Sequence, residues 1–103
     1  MYGPKLRGHW TQSLQREPFK HLKPGAAYVV TRAFTDYDGT LHPAGEEWIH
    51  LGHNFLPYDD GLSLFVSMNG DDEWQIRLQW RDTEQGPIID SLQTYIEAKA
   101  ITS

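Results

Sequence analysis

Trp74-Gln75-Ile76-Arg77-Leu78-Gln79-Trp80 decides the fold of this chain. Large apolar residues alternate strictly with polar ones, a period of two that gives one dry and one wet face. Strands of a parallel sheet, covered on both sides, read instead as unbroken apolar runs, so the pattern predicts an antiparallel sheet. Upstream, Asn69-Gly70 is a hairpin turn with an acidic extension, Asp71-Asp72-Glu73. Before it, Leu62, Leu64, Val66 and Met68 form one apolar strand face, and Asp59-Asp60-Gly61 turns the chain. Trp48 to Phe55 alternates too, with Ile49, Leu51 and Phe55 on one side and Trp48, His50 and Gly52 on the other. Tyr28 to Phe34 reads as the first strand. Downstream the period changes. Gly86-Pro87 opens a helix, and Ile88, Ile89, Leu92, Tyr95 and Ile96 make one apolar stripe ending near Lys99. The expected fold is mainly β: a small antiparallel SH3-like β-barrel or curled sheet of four to five strands with a C-terminal amphipathic helix.

With 103 residues there is room for one modest core. Residues 24–99 are expected to form it, with residues 1–23 as a partly flexible arm broken by Pro4 and Pro18. Four Trp, five Tyr and four Phe can supply much of the burial. The absence of cysteine excludes disulfides and thiolate chemistry. Residues 1–20 carry no continuous apolar stretch of the signal-peptide kind, and no run is long enough to span a membrane, so a cytoplasmic protein is expected. Charge is uneven. Residues 1–35 hold six basic side chains against Glu17 alone, a balance of +5. Residues 36–103 hold thirteen acidic and three basic ones, a balance of −10. Such a body repels phosphate backbones, so nucleic acid is not an expected partner.

Asp36-Tyr37-Asp38-Gly39-Thr40-Leu41 admits two readings. As backbone chemistry, Asp-Gly between apolar runs is a tight turn, with Gly39 supplying a positive φ. As a catalytic string it resembles the first motif of the haloacid dehalogenase-like phosphatases. That resemblance implies Asp36 as nucleophile, Asp38 as acid/base and Mg²⁺ on the phosphate. The chemistry belongs to a parallel sheet, and the following residues read as strands joined by turns, so the turn is the preferred reading. Glu47 stands twelfth from Asp36, but Leu41 occupies the position where a calcium loop needs Gly. His50 and His53 differ by an odd number, so on a regular strand they face apart and share no metal without a bulge. Scattered surface histidines are expected, with no metal and no cofactor.

Ala33-Phe34-Thr35-Asp36-Tyr37 with Gly45-Glu46 resembles the start of Src-homology 3 domains. Thr35 stands where those carry tyrosine, so the resemblance implies a barrel type rather than peptide specificity. Pro24-Gly25, Gly45-Glu46-x-Trp48, Asn54-Phe55-Leu56-Pro57-Tyr58-Asp59-Asp60-Gly61-Leu62 and Arg77-Leu78-x-Trp80-Arg81 are similar to a bacterial family, domain of unknown function number 3601. That similarity brings no activity with it. The expected function is a non-enzymatic protein-interaction module, for example an immunity-type or regulatory protein whose acidic body holds a basic protein or peptide. Candidate binding residues are Tyr37, Trp48, Phe55, Tyr58, Asp59, Asp60, Trp80 and Arg81. The alternative is a metal-dependent phosphatase using Asp36 and Asp38.

Overall fold

The alternation at 74–80 becomes β7 (Asp72–Gln79) in a computed structural model that describes residues 1–12, 17–56, 60–81 and 83–99. Ile76 and Leu78 are fully buried, while Gln75, Arg77 and Gln79 lie half-buried on the other face. β6 (Gly61–Ser67) pairs antiparallel with it, setting Leu62 beside Leu78, Leu64 beside Ile76 and Val66 beside Trp74. Cross-strand apolar pairs of this kind fix register, because a slip of one residue would turn every one of them to the wrong face. The turn between the two strands follows its residues: Gly70 has φ +85, and the Asn69 side chain accepts the Asp71 and Asp72 amides at 2.8 Å each.

β5 (Glu47–Leu56) pairs with β6, and β2 (Ala27–Val30) pairs with β5. Two further strands lie at the edges. β1 (Tyr2–Leu6) pairs with β7 and β8 (Ile96–Ala98) with β2, giving the order β1-β7-β6-β5-β2-β8. Every pairing is antiparallel. Because β1 and β8 are separate edges, the sheet is open: of the expected barrel or curled sheet of four to five strands, no closed barrel forms among the described residues, and the sheet has six strands. β3 (Phe34–Thr35) and β4 (Leu41–His42) form a second, two-stranded sheet, so the expected strand from Tyr28 to Phe34 is two strands. The core on the dry face joins Leu22, Val30, Phe34, Trp48, Leu64, Ile76, Ile89, Leu92 and Ile96. Each such burial contributes roughly 1.5–3 kcal/mol.

The C-terminal helix also needs correction. α1 (Gly86–Asp90) and α2 (Leu92–Tyr95) are short and separated by Ser91, at φ −117 and ψ 34. Ile96 then opens β8. Ile88, Leu92 and Ile96 are spaced by four, which suits a helix face and a strand face alike. The free edge of β2 decides between them, aligning Val30 with Ile96 and taking the Lys99 amide on the Ala27 carbonyl at 3.0 Å.

Residues 1–12, expected as part of a loose arm, are tied to the sheet by Glu73, whose carboxylate is fully buried. It accepts the Gly8 amide at 2.8 Å, the Trp10 amide at 2.9 Å, the Thr11 hydroxyl, and Arg7 Nη1 at 3.1 Å. Trp10 then covers Phe65 on the wet face, with ring centroids 5.8 Å apart. Burial alone would raise the Glu73 pKa. The bonds from Thr11, Gly8 and Trp10 and the Arg7 charge outweigh it and hold the group below the ordinary carboxylate value. Among the described residues no helix is long and apolar enough to cross a membrane.

Candidate functional site

The 36–41 segment is a turn between β3 and β4. The Asp36 carbonyl accepts the Gly39 amide at 3.0 Å, its amide donates to the Thr40 carbonyl at 3.0 Å, and Gly39 takes φ +86. The Asp36 carboxylate is buried and fully engaged. Oδ1 accepts the Asp38 and Thr40 amides at 3.0 Å each, while Oδ2 lies 2.8 Å from His42 Nε2 and 3.0 Å from the main-chain nitrogen of Met1. His42, itself buried, places Nδ1 2.7 Å from Glu46. Burial would raise Asp36, but the bonds from His42 and the Thr40 amide prevail and lower it. Burial would likewise lower His42, and its bonds to Glu46 and Asp36 raise it instead. The arrangement is a carboxylate–imidazole–carboxylate brace that locks the β3–β4 corner. A nucleophile needs an open lone pair facing a substrate, and Asp36 has all its lone pairs in use.

The same turn presents a surface. The Tyr37 amide donates to the Arg77 carbonyl at 2.8 Å, which seats the turn on β7 beyond the end of β1. The Arg77 guanidinium lies 5.5 Å from the Tyr2 and Tyr37 ring centroids and 3.2 Å from Asp38. Tyr37, Leu56, Ser63, Gln75, Arg77 and Arg81 line a groove of about 430 Å³ on the wet face. Tyr37 is 42% and Leu56 51% exposed. The Ser63 hydroxyl, accepting from Gln75 at 3.0 Å, fixes part of the floor.

Across the same strand ends, Phe55 is 38% exposed and meets the Trp80 ring edge-on at 5.8 Å. Trp80 Nε1 donates to Asp90 at 2.9 Å, Lys20 lies over its ring at 5.4 Å, and Phe19 packs against it at 6.1 Å. Arg81 Nε pairs with Asp60 at 3.2 Å. The structure thus gathers Tyr37, Phe55, Asp60, Trp80 and Arg81 at one end of the sheet. Trp48 is not with them: at 3% exposure it is core, beside Tyr28. Tyr58 and Asp59 lie outside the described residues. Arg77, Gln79, Leu56 and Phe19 were not among the binding candidates named from the sequence. The wet face of the 74–80 alternation was the signal for the first two.

The expected surface placement fails for two histidines, while His9 is exposed. His42 and His50 are fully buried. The register of β5 on β6 shifts between His50 and Gly52, a bulge that turns His53 to the same face as His50, beside Leu64 and Val66 respectively. Among the described residues no three His, Asp or Glu side chains are placed to hold a metal ion together.

A family model, Domain of unknown function (DUF3601), matches residues 12–100. Among solved structures, an integron cassette protein from the mobile metagenome of Vibrio cholerae is similar at 39% identity and a TM-score of 0.80. The likeness covers 86% of this chain and 97% of that one. No curated protein matches.

Proposed function

The chain belongs to the DUF3601 family, and we propose that it is a non-enzymatic, cytoplasmic protein-interaction module that docks its partner at the β5–β6 hairpin end. The observation that carries this reading is that exposed Tyr37 and Leu56 line one groove on the wet face, with exposed Phe55 against Trp80 on the other face of the same sheet end. Binding energy in protein interfaces concentrates in a few aromatic and arginine anchors ringed by polar groups. Tyr37 and Leu56 are the anchors, and the Tyr2–Arg77–Tyr37 stack holds the first of them in place before any partner arrives. A pre-ordered side chain loses less entropy on binding.

The partner is a protein or peptide of net positive charge. Residues 36–103 carry a balance of −10, and Asp38 and Asp60 stand at the groove rim. Charge of this kind acts mainly on association rate and falls with salt. It disfavours nucleic acid. The full engagement of Asp36 weighs against the phosphatase alternative.

Affinity capture from native-host lysate tests the proposal. Wild-type protein is expected to retain a partner that Tyr37→Ala/Leu56→Ala releases and Leu6→Ala keeps. Added salt is expected to slow capture. Retention unchanged in the double variant would refute the assigned surface.

A further inference from the structure

The bulge in β5 draws three imidazoles into one place. His50 and His53 share the dry face of the strand. The Tyr28 ring stands between His50, at 6.4 Å, and His21, at 6.0 Å. Neither ring nitrogen of His50 reaches a hydrogen-bond partner among the described residues, nor does Nδ1 of His21 or of His53. The cover over this cluster is the segment 17–25. It is fastened by the Gly25 amide on the His50 carbonyl at 2.7 Å and by His21 Nε2 on the Ile96 carbonyl at 2.6 Å. The Tyr28 hydroxyl, donating to the His21 carbonyl at 3.0 Å and accepting the Lys23 amide at 2.6 Å, adds a third tie. Phe19 roofs His53 at 5.0 Å and also touches Trp80.

We propose that segment 17–25 is an acid-released strap: protonation of His50 and His53 beneath it lifts it and uncovers the Trp80 side of the docking surface. The consequence for docking rests on the function proposed above; the release itself does not.

Among the described residues the charges facing the cluster are few. Glu17, on the strap, favours a charged His53. Lys20 and Lys23 are also on the strap, with Lys20 over Trp80. Tyr28 faces the cluster from β2, while Val66 and Leu64 of β6, beside His50 and His53, carry no charge. Burial comes first in holding His50 down to about 4, followed by repulsion from His53 and His21. Burial also lowers His53, against the pull of Glu17. The closed strap therefore refuses protons that the open strap accepts. Closure is unaffected by pH above the ordinary histidine value of 6.5 and weakens as pH falls from there toward 4. One group with those two values raises the opening constant about thirty-fold at pH 5.

Hydrogen exchange of single amides, corrected for the intrinsic pH dependence of exchange, reads this without any partner. Protection at Lys23 and Gly25, whose amides are held by the Tyr28 hydroxyl and the His50 carbonyl, is expected to fall about twenty-fold between pH 7 and pH 5, while Leu64 and Ile76 keep theirs. His53→Gln, at a half-buried site, should reduce the fall by removing one like charge, and His50→Gln should reduce it further, to the part that the burial of His53 contributes. A flat Lys23 and Gly25 profile in the wild type would overturn the proposal. So would equal loss at Leu64 and Ile76, which would mean global unfolding. Either failure leaves the Tyr37–Leu56 groove untouched, and a failed capture experiment leaves the strap untouched.

Discussion

Replacing Glu73 by Gln removes the charge on which residues 7–11 converge. The carboxylate has four donors, three on Oε2 and one on Oε1. A glutamine side chain in its place would offer one carbonyl oxygen and one NH₂. In its better orientation the oxygen keeps the Gly8, Thr11 and Arg7 donors, and the NH₂ then meets the Trp10 amide donor to donor. A hydrogen bond to a charged group contributes about 1.5–3 kcal/mol, and a neutral one about 1 kcal/mol. Losing one bond and the charge on the others, less the desolvation of a carboxylate, leaves a deficit of about 3 kcal/mol. That is roughly a hundredfold in the closure of the N-terminal segment. The segment can peel from the wet face while the sheet stays folded, so global stability registers only part of the loss. Two readouts follow from this. Amide exchange at Gly8 and Trp10 should speed by two orders of magnitude, and the urea midpoint should fall by a smaller amount. Unchanged exchange at both amides would refute the assignment of Glu73 as the anchor of this segment.

Three further outcomes are expected. His42→Ala leaves the Asp36 and Glu46 carboxylates facing each other, and urea unfolding should show a loss of about 3 kcal/mol. In the wild type the His42 contribution is fully present below pH 6.5 and lost as pH rises through its raised folded-state value. Asp36 and Glu73 contribute above their ordinary values of 3.8 and 4.5, and that stability is lost as pH falls through their lowered ones. A stability profile without an alkaline decline, or one unaltered in His42→Ala, would contradict this. Gly86→Ala should lose about 2 kcal/mol in thermal unfolding, because a Cβ there would sit 2.6 Å from the Arg81 carbonyl oxygen. Asp36→Asn should lower stability by about 2 kcal/mol, and wild-type protein should hydrolyse no p-nitrophenyl phosphate with Mg²⁺. Magnesium-dependent hydrolysis abolished by the same substitution would restore the phosphatase reading.

The antiparallel sheet was legible at 74–80 because its two faces differ so sharply in polarity. Other strands were less transparent for physical reasons. In 48–55 the sequence grouped Ile49, Leu51 and Phe55 as the apolar side, yet Trp48 and His50 are the buried ones. A histidine in the core inverted the polarity pattern, and the bulge beside it broke the period. Glu73 read as the end of a solvated acidic turn. What makes it a core residue is four donors more than 60 positions away in the chain, and no local pattern reports that. Of the candidate site, the turn chemistry of Asp36 and Gly39 was local and therefore readable. The convergence of Tyr37 with Leu56 and Arg77 depends on where the β3–β4 corner lands on β7, set by the Tyr37 amide and the Arg77 carbonyl. Trp48 was named for its type, but type alone does not separate a core ring from a surface one.

Photo-crosslinking tests the docking surface most directly. A photoreactive residue at Leu56, in the groove, is compared with one at Leu6, on β1 and more exposed still. Irradiation in native-host lysate should give a discrete adduct with a protein of basic character from position 56 and none from position 6. Equal labelling from both positions, or an adduct from position 6 alone, would contradict the account.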